Sequence, residues 1–458
     1  MARIAVITPD VLGATMAGPA IRAVNIAEQL GRDHDVTLIS TVQCSIARPG
    51  LTCVAAVGSR ALRAAVGDAE VVVLQGYVTY AAPWLIASNM VLVVDLYDPL
   101  HLEQLEQLAD YPAGEAQAML DLTVRVLNEQ LLRGDFFLCA NEEQRHLWLG
   151  HLGALGRINL HTYAHDNTLR SLIDVVPFGL GEQPPRRTGP GIRDSIAGIG
   201  SQDKVILWAG GVYNWFDAPA LVRALDQLKD VHPDVRLFFL GMKHPNPDVP
   251  QMEMAYRTRA LADDLGLTGR HVFFNDGWVA YDDRQNYLLD ADVGVSTHFD
   301  HLETTFSFRT RILDYLWAGL PVVCTGGDSF GALVAAEGLG ATIDEGDVEA
   351  LARALATVLY DQAATRRARE AVARVREQFT WPLVLAPLLR FCAAPRRAAD
   401  ADLDRARITR RPVMPANRAL RLIVRAAILV RRGGPSALAQ RATARVRRMG
   451  AGPGNDTN

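Results

Sequence analysis

Lysine is scarce in this sequence, which has only Lys204, Lys229 and Lys243 among its 458 residues. A mechanism that forms a Schiff base has only these three side chains to use, and none of them has a suitable sequence context. The five cysteines are scattered and include no Cys-x-x-Cys pair. Such a set indicates free thiols in a reducing compartment and argues against zinc knuckles.

Long apolar runs are also absent. No stretch reaches the roughly 18 residues that a transmembrane helix needs, and the first residues lack the pattern of a signal peptide. We therefore expect a cytoplasmic protein. The length and a composition of 49% apolar and 21% charged residues predict a globular chain of two or three domains. The absence of a Walker A motif argues against P-loop chemistry.

The net charge of −4 combines two parts of opposite sign. Residues 395–458 contain 15 Arg and 4 Asp, a balance of +11, whereas residues 1–394 contain 32 basic and 47 acidic side chains, a balance of −15. The tail carries arginines opposite apolar residues, a pattern that predicts basic amphipathic helices. We expect this tail to bind an anionic membrane surface or another polyanion, and we expect no nucleic-acid partner. Packing of the tail on the acidic body is the alternative.

Short apolar strands alternate with helical segments twice along the chain, which is typical of buried parallel sheets with helices on both faces. The sequence therefore predicts an α/β fold with two doubly wound, Rossmann-like domains. Ligands of such sheets bind beyond the carboxyl ends of the strands, so the cleft between the domains is the expected site. The predicted parts are an N-terminal domain (1–183), a linker (184–203), a C-terminal domain (204–372), helices that cross back to the first domain (373–394) and the basic tail (395–458).

The stretch 303–323 is the densest in polar and charged candidates. A helix that begins near Ser307 offers free N–H groups to a phosphate, and Arg309 and Arg311 add positive charge beside it. Asp314 lies one turn after Arg311 on the same face and is suited to accept hydrogen bonds from a ribose diol. A capped helix with exposed arginines and a paired aspartate is the alternative interpretation.

The order Ser307, Arg311, Asp314 and then Ala-Gly-x-Pro-Val-Val resembles the donor-site motif of retaining GT-B glycosyltransferases, most of all the large family-four group, the glycosyl transferases group 1. The resemblance implies that Ser307 and Arg311 hold the diphosphate of a nucleotide-diphosphate sugar and that Asp314 holds the ribose. That family commonly has Glu at the ribose position and a second Glu eight residues earlier, where this chain has Phe306. Glu303 is the nearest earlier carboxylate and is a candidate for the donor sugar.

The resemblance extends to other strand ends of the second domain. There the family has an Arg and a Lys beyond a glycine, and this chain has Gly211 and Asn214 but neither cation. Lys243, Arg309 or Arg311 are candidates to replace the missing charge, with a solvated loop as the alternative for Lys243. Trp278 is placed to stack on the base or to lie in the core. The expected donor-binding residues are Gly211, Asn214, Lys243, Trp278, Glu303, Ser307, Phe308, Arg309 and Asp314.

In the first domain, Gly18 and Arg22 match the loop that approaches donor and acceptor in this family. Arg22 is a candidate to hold an anionic group, and a surface helix arginine is the alternative. Asp98 and His101 follow a strand end, where the family commonly has a His or an acid beside the transferred sugar. Together with Arg311 they are the expected catalytic residues, although an Asp before a proline often only caps a turn.

The resemblance implies a metal-independent glycosyltransferase that retains anomeric configuration and has no bound cofactor, only a nucleotide-diphosphate sugar as co-substrate. The acceptor is a glycan, a lipid-linked saccharide or a small molecule held by the first domain. The basic tail fits work on polysaccharide or lipid-linked acceptors at the inner face of the membrane. Two alternatives stay open: a nucleotide-sugar epimerase of the same architecture, and a catalytically silent GT-B-shaped binding subunit.

Overall fold

Two parallel sheets, one in each half of the chain, organise the computed structural model, which describes residues 1–109, 111–242 and 252–403. The first sheet contains β1 (Arg3–Thr8), β2 (Asp35–Ser40), β3 (Thr52–Ala55), β4 (Val71–Gln75), β5 (Val91–Asp95), β6 (Phe136–Cys139) and β7 (Ile173–Val175). Its strands are hydrogen-bonded in the order β3-β2-β1-β4-β5-β6-β7.

The second sheet contains β8 (Lys204–Trp208), β9 (Val235–Phe239), β10 (Val272–Phe274), β11 (Val293–Ser296), β12 (Val322–Thr325) and β13 (Gly340–Ile343). Its order is β10-β9-β8-β11-β12-β13, and all described strand pairs of both sheets are parallel. The predicted α/β class with two doubly wound sheets is confirmed.

Helices connect the strands and cover both sheets. In the first half they are α1 (Gly18–Leu30), α2 (Ser59–Val66), α3 (Val78–Ala81), α4 (Leu100–Gln107), α5 (Ala113–Arg133), α6 (Glu142–Ala154), α7 (Leu160–His165) and α8 (Ile192–Ser195). In the second half they are α9 (Ala218–Leu228), α10 (Glu253–Asp264), α11 (Arg284–Leu288), α12 (Leu302–Phe306), α13 (Thr310–Ala318), α14 (Ser329–Glu337), α15 (Val348–Tyr360), α16 (Gln362–Val375), α17 (Trp381–Val384) and α18 (Ala386–Ala393). Short 3₁₀ turns lie at Pro83–Leu85, Tyr281–Asp283 and Arg376–Phe379.

The central strands are buried because helices lie on both faces of each sheet. All five residues of β4 and all four of β11 are buried, which explains why these strands are continuous apolar runs rather than alternating patterns. The segment predicted as a linker (184–203) lies between the two sheets in sequence and includes the one-turn helix α8.

The end of the described chain packs on the first domain. The Phe391 ring of α18 stacks on Phe136 of β6, with 4.5 Å between ring centroids. Arg157 forms a buried ion pair with Asp400, with Nε and Oδ2 2.8 Å apart. Residues 1–403 form one compact unit. The amphipathic tail helices were predicted for a segment that, from residue 404 onward, lies outside the described residues. Among the residues that are described, no helix has both the length and the hydropathy needed to cross a bilayer.

Candidate active site

A cavity of about 170 Å³ lies between the two sheets, where loops that follow the carboxyl ends of strands in both domains meet. This is the position that the doubly wound topology predicts for a ligand. The first domain contributes the start of α1 and residues 178–180, and the second domain contributes the loops after β8, β9 and β10 together with α13. Predicted site residues that line it are Gly18, Gly211, Trp278, Arg311 and Asp314.

Arg311 is the least compensated charge in this cavity. Its side chain is 8% exposed, and Nη2 donates to the Gly211 carbonyl at 2.8 Å. The guanidinium carbon lies 4.2 Å and 4.0 Å from the ring centroids of Trp208 and Phe216. It pairs with no carboxylate of the described residues, and Nη1 has no hydrogen-bond partner. Burial lowers the pKa of this arginine to about 10, so the side chain is a desolvated cation that an anion in the cavity would stabilise.

The helix that carries Arg311 begins later than the sequence predicted. Helix α13 starts at Thr310, and its first turns line the cavity. Ser307, expected in the first helical turn, instead ends α12, and its Oγ donates to the Thr304 carbonyl at 3.0 Å. The sequence predicted Ser307 or a neighbouring residue in the first turn of this helix, and the structure has the neighbour there, because the backbone turns between the two helices. Thr310 is the hydroxyl residue at the start of α13.

The glycine loop after β8 forms one wall of the cavity. Gly210 has a φ of +98°, a conformation that side chains strongly disfavour. A Cβ on Gly211 would lie 2.7 Å from the Tyr213 ring, so Tyr213 covers the loop, stacked on Trp215 at 5.0 Å. Asn214 does not line the cavity. Its Oδ1 accepts from the Met254 backbone at 3.2 Å, which holds the start of α10.

Asp314 lines the cavity beside an arginine that the sequence argument missed. Arg284 Nε lies 3.1 Å from Asp314 Oδ1, and the guanidinium lies over the rings of Tyr281 and Trp317, at 3.7 Å and 4.6 Å from their centroids. Arg284 and Tyr281 also line the cavity. Arg284 begins α11, 30 residues before Asp314 in sequence, and no sequence pattern indicated that the two side chains pair.

Trp278 is partly exposed and lines the cavity, so the core position considered for it is excluded. Its ring faces Gly241, where a Cβ would lie 3.2 Å from the indole. The Tyr281 backbone N–H donates across the cleft to the Ala14 carbonyl at 3.0 Å. Base-sized aromatic surface is therefore available on this side of the cavity.

Arg309 and Glu303 form an ion pair with each other away from the cavity. Arg309 Nη2 lies 2.9 Å from Glu303 Oε2, both side chains are buried, and Arg309 Nε lies 3.8 Å from Asp328 Oδ2. His298 Nε2 approaches the same Asp328 oxygen at 3.6 Å, and burial lowers the pKa of His298 to about 3. Neither Arg309 nor Glu303 lines the cavity. Phe308 packs on Phe330, with 4.7 Å between centroids.

Asp98 belongs to a group of carboxyls between the domains. Burial, followed by the Glu303 carboxylate, raises the pKa of Asp98 to about 7, and Glu103 shares a hydrogen bond with it. Burial, followed by Asp98, raises the pKa of Glu103 well above its usual value. The sequence argument missed Glu103, although its five-residue spacing from Asp98 at a helix start was visible. His101 is held against Trp148, and burial lowers its pKa to about 4, so it is neutral at pH 7.

Arg22 does not face the cavity and is not a surface arginine. It is fully buried, with Nε 2.6 Å from Asp95 Oδ2 and Nη2 2.9 Å from Asp95 Oδ1. Its remaining donors bond the carbonyls of Val176 and Pro177. Both interpretations offered for Arg22 were therefore wrong, because Asp95, at the end of β5, takes its charge. Lys243 lies outside the described residues.

Gly327, Ser329 and Gly331 spell Gly-x-Ser-x-Gly after a strand, the pattern that carries the nucleophile of α/β-hydrolases. Here Ser329 is the first residue of α14, with ordinary negative φ, and its Oγ accepts from Asn141 Nδ2 at 3.0 Å across the cleft. Asp328 caps the helix by accepting from Gly331 at 2.6 Å. The segment therefore serves as a helix cap and a domain contact rather than a strained nucleophile turn.

Over the ranges that the structure describes, no group of three or more His, Cys, Asp or Glu is arranged to hold a metal ion.

Residues 203–361 match a family model described as glycosyl transferases group 1. Solved structures with a similar fold include sucrose-phosphate synthase from Thermosynechococcus elongatus, at 15% identity and a TM-score of 0.63 over 86% of this chain and 100% of that one. HepE from Anabaena, in complex with UDP-glucose, has 14% identity and a TM-score of 0.58 over 86% and 100% of the two chains. WaaG, a glycosyltransferase involved in lipopolysaccharide biosynthesis, has 17% identity and a TM-score of 0.55 over 87% and 98%.

No curated protein matches the sequence. At these identities the structural likenesses establish the fold. This chain has the GT-B fold of glycosyltransferases, and its second domain matches the glycosyl transferases group 1.

Proposed function

We propose that this protein is a glycosyltransferase that moves a sugar from a nucleotide-diphosphate sugar to an acceptor. The observation that carries the proposal is Arg311, a buried guanidinium in the wall of the cleft whose Nη1 has no partner, and which has no carboxylate beside it, among the residues that the structure describes. A buried cation without a counter-ion costs stability, so its presence is best explained by an anionic ligand. A diphosphate at the start of α13 would also meet the positive end of that helix.

Different lining residues bind different parts of the nucleotide. Arg311 and the first N–H groups of α13 bind the diphosphate, and Asp314, held by Arg284, accepts from the ribose hydroxyls. Trp278 and Tyr281 present aromatic surface to the base. HepE, which shares the fold, was solved in complex with UDP-glucose, and this supports UDP as the first nucleotide to test.

Transfer places developing negative charge on the leaving diphosphate. Arg311 acts in a largely desolvated position, where a fixed cation stabilises that charge more than it would in water. Asp98, with a pKa near 7, is suited to take the proton of an acceptor hydroxyl at neutral pH. His101 is neutral and acts by position. Transfer proceeds with retention and without a metal, so EDTA should leave the rate unchanged.

The acceptor is a glycan, a lipid-linked saccharide or a small molecule. The balance of +11 in residues 395–458 supports work at the cytoplasmic face of an anionic membrane, in the synthesis of a polysaccharide or glycolipid. Co-sedimentation of the full chain with phosphatidylglycerol vesicles, but not with phosphatidylcholine vesicles, tests this part separately.

The central test is calorimetric titration of the full chain with UDP, GDP, ADP, dTDP and CDP. We expect one nucleotide to bind. The Arg311→Met variant should bind it at least thirtyfold more weakly than the wild type, whereas the Arg63→Met variant should bind it with wild-type affinity. Arg63 is the matched control because its guanidinium also lies over an indole, that of Trp84 at 4.8 Å, away from the cleft. Binding of none of the five, or equal binding by both variants, contradicts the proposal. Proton NMR of the product with the matching sugar then reports the anomeric configuration.

One observation favours a second candidate, a binding subunit without catalysis. Of the cations expected to serve the diphosphate, Arg309 is committed to Glu303, which leaves Arg311 as the unpaired cation among the described candidates. Nucleotide binding without transfer to any acceptor and without hydrolysis would support this candidate. An epimerase would instead convert the bound nucleotide sugar with no acceptor present.

A further inference from the structure

Gln144 joins the two domains through one buried amide. The residue lies in the first turn of α6 and is 0% exposed. Its Oε1 accepts from the Ala140 backbone N–H at 2.7 Å, which fixes the orientation of the amide. Nε2 then donates to the Tyr97 carbonyl of the first domain and to the Phe306 carbonyl of the second, both at 2.8 Å. Both donors of the amide are therefore used, one for each domain.

The two carbonyls lie next to the two halves of the candidate active site. The Tyr97 carbonyl belongs to the planar peptide unit that leads into Asp98, so a bond that fixes this carbonyl also restrains the Asp98 backbone. Phe306 ends α12, and α13 begins four residues later at Thr310, followed by Arg311. Gln144 therefore ties the segment that carries Asp98 to the segment that leads to Arg311.

Charged side chains oppose this contact between the domains. Burial and then the Glu303 carboxylate raise the pKa of Asp98, and burial, Asp98 and then Glu303 raise the pKa of Glu103. Carboxyls of the first domain thus face a carboxylate of the second, and like charges that approach each other repel. Arg309 offsets part of this charge through its ion pair with Glu303. The neutral bonds of Gln144 hold the domains together where the carboxyls repel.

We propose that Gln144 is a positioning residue, which holds the Asp98 segment of the first domain in its working place relative to Arg311 in the second. The role of this bridge in turnover rests on the proposed function. Without the Nε2 donor, two buried carbonyls lose their shared partner, and the domains separate at this edge. Asn141, which caps the same helix, adds a second bridge, because its Nδ2 donates to Ser329 Oγ at 3.0 Å.

Two variants of Gln144 and one matched control test the bridge. Gln144→Met keeps the length of the side chain and removes both donors, whereas Gln144→Glu keeps the acceptor for Ala140 but replaces the donor with an oxygen. Gln130→Met is the control, because Gln130 is 1% exposed and its Nε2 also donates to two oxygens. These are the Gly76 carbonyl at 2.7 Å and Thr79 Oγ1 at 3.0 Å. Both belong to the first domain, so this control loses similar bonds without separating the domains.

Small-angle X-ray scattering of the full chain without nucleotide measures the separation directly. We expect Gln144→Met and Gln144→Glu to have a larger radius of gyration than the wild type, and Gln130→Met to match the wild type. Differential scanning calorimetry shows whether the Gln144 and Gln130 variants lose a similar amount of stability. A wild-type radius of gyration in both folded Gln144 variants overturns the proposal.

A comparison of nucleotide affinity with turnover separates positioning from a general structural role. Calorimetric titration gives the Kd of UDP, and NMR follows the release of UDP from UDP-glucose. For Gln144→Met we expect a Kd within about threefold of the wild type, because Arg311, Asp314 and Trp278 all belong to the second domain. Release should slow by about tenfold or more, as expected when two hydrogen bonds that place Asp98 are lost. Unchanged release, or an equal loss of affinity and release, overturns the proposal.

Ser329→Ala tests the same interface if the Gln144 variants do not fold. Ser329 is half-buried, and its replacement removes only the bond from Asn141. We expect release to slow by about twofold to fivefold with an unchanged Kd for UDP. Wild-type release in Ser329→Ala, with no folded Gln144 variant, counts against the bridge.

The two proposals fail in different ways. If the chain binds no nucleoside diphosphate, the proposed transferase is wrong, and the scattering of the Gln144 and Gln130 variants still decides whether Gln144 holds the domains together. If the wild type binds UDP and releases it from UDP-glucose, and the Gln144 variants behave as the wild type, the transferase is supported and the role of Gln144 is wrong.

Discussion

Arg311 and Arg22 are both buried, and replacing each with methionine is expected to have opposite effects on stability. The pKa of Arg311 falls from 12.5 to about 10, so burying its charge costs about 3 kcal/mol. Methionine removes that cost and loses one hydrogen bond and the stacking on two rings, together about 2–3 kcal/mol. We therefore expect an unfolding free energy between that of the wild type and about 1 kcal/mol above it.

Arg22→Met leaves the Asp95 carboxylate buried without its partner. Breaking such a pair costs about 3–5 kcal/mol, or a midpoint lower by roughly 3–5 °C at roughly 1 °C per kcal/mol for a chain of this size. Differential scanning calorimetry of both variants and the wild type, with and without UDP, measures this contrast.

UDP should raise the wild-type midpoint, since a ligand at a hundredfold its Kd adds about 2.7 kcal/mol. The rise should persist in Arg22→Met and vanish in Arg311→Met. If Arg311→Met loses more than about 3 kcal/mol, or still responds fully to UDP, then Arg311 is a structural residue and the assignment of the diphosphate site is wrong.

Three further predictions concern the same cleft. Since the pKa of Asp98 is raised from 3.8 to about 7, the stability that its protonated form contributes is complete below pH 4 and is lost as the pH rises through 7. Urea unfolding should show the wild type losing on the order of 4 kcal/mol of unfolding free energy relative to Asp98→Asn between pH 4 and pH 8. Arg284→Met removes the ion-pair partner of Asp314 and should reduce the preference for UDP over 2′,3′-dideoxy-UDP several-fold in calorimetric titrations. An unchanged preference would show that Asp314 does not bind the ribose hydroxyls. Gly211→Ala places a Cβ 2.7 Å from the Tyr213 ring and should destabilise the protein by about 1–3 kcal/mol and weaken UDP binding. An unchanged midpoint of thermal unfolding would mean that the loop adapts freely.

The sequence predicted the architecture well because the signals for strands and helices are local. Runs such as that of β4 show burial on both faces without reference to any partner. The same holds for the region of Arg311 and Asp314, whose spacing places both on the first turns of one helix. These two, with Gly18, Gly211 and Trp278, do line the cavity.

Sequence patterns could not predict which charged side chains from distant segments pair with each other. Arg309 and Arg311 are two residues apart and are equal candidates in sequence. In the described part of the chain, Arg309 pairs with Glu303 and Arg311 pairs with no carboxylate. Arg284, which pairs with Asp314, is the first residue of a separate helix, α11.

By itself, the sequence determined two parallel sheets, the cleft between them and the helix that carries Arg311 and Asp314, because each depends on hydrophobic period and neighbouring residues. Only the tertiary structure decided which charged and polar side chains have a partner and which do not. Arg22 pairs with an aspartate 73 residues away, and Gln75 Oε1 has no hydrogen-bond partner within the ranges that the structure describes. The cost of a buried charge depends on the atoms around it in space, and those atoms come from segments that no local pattern connects.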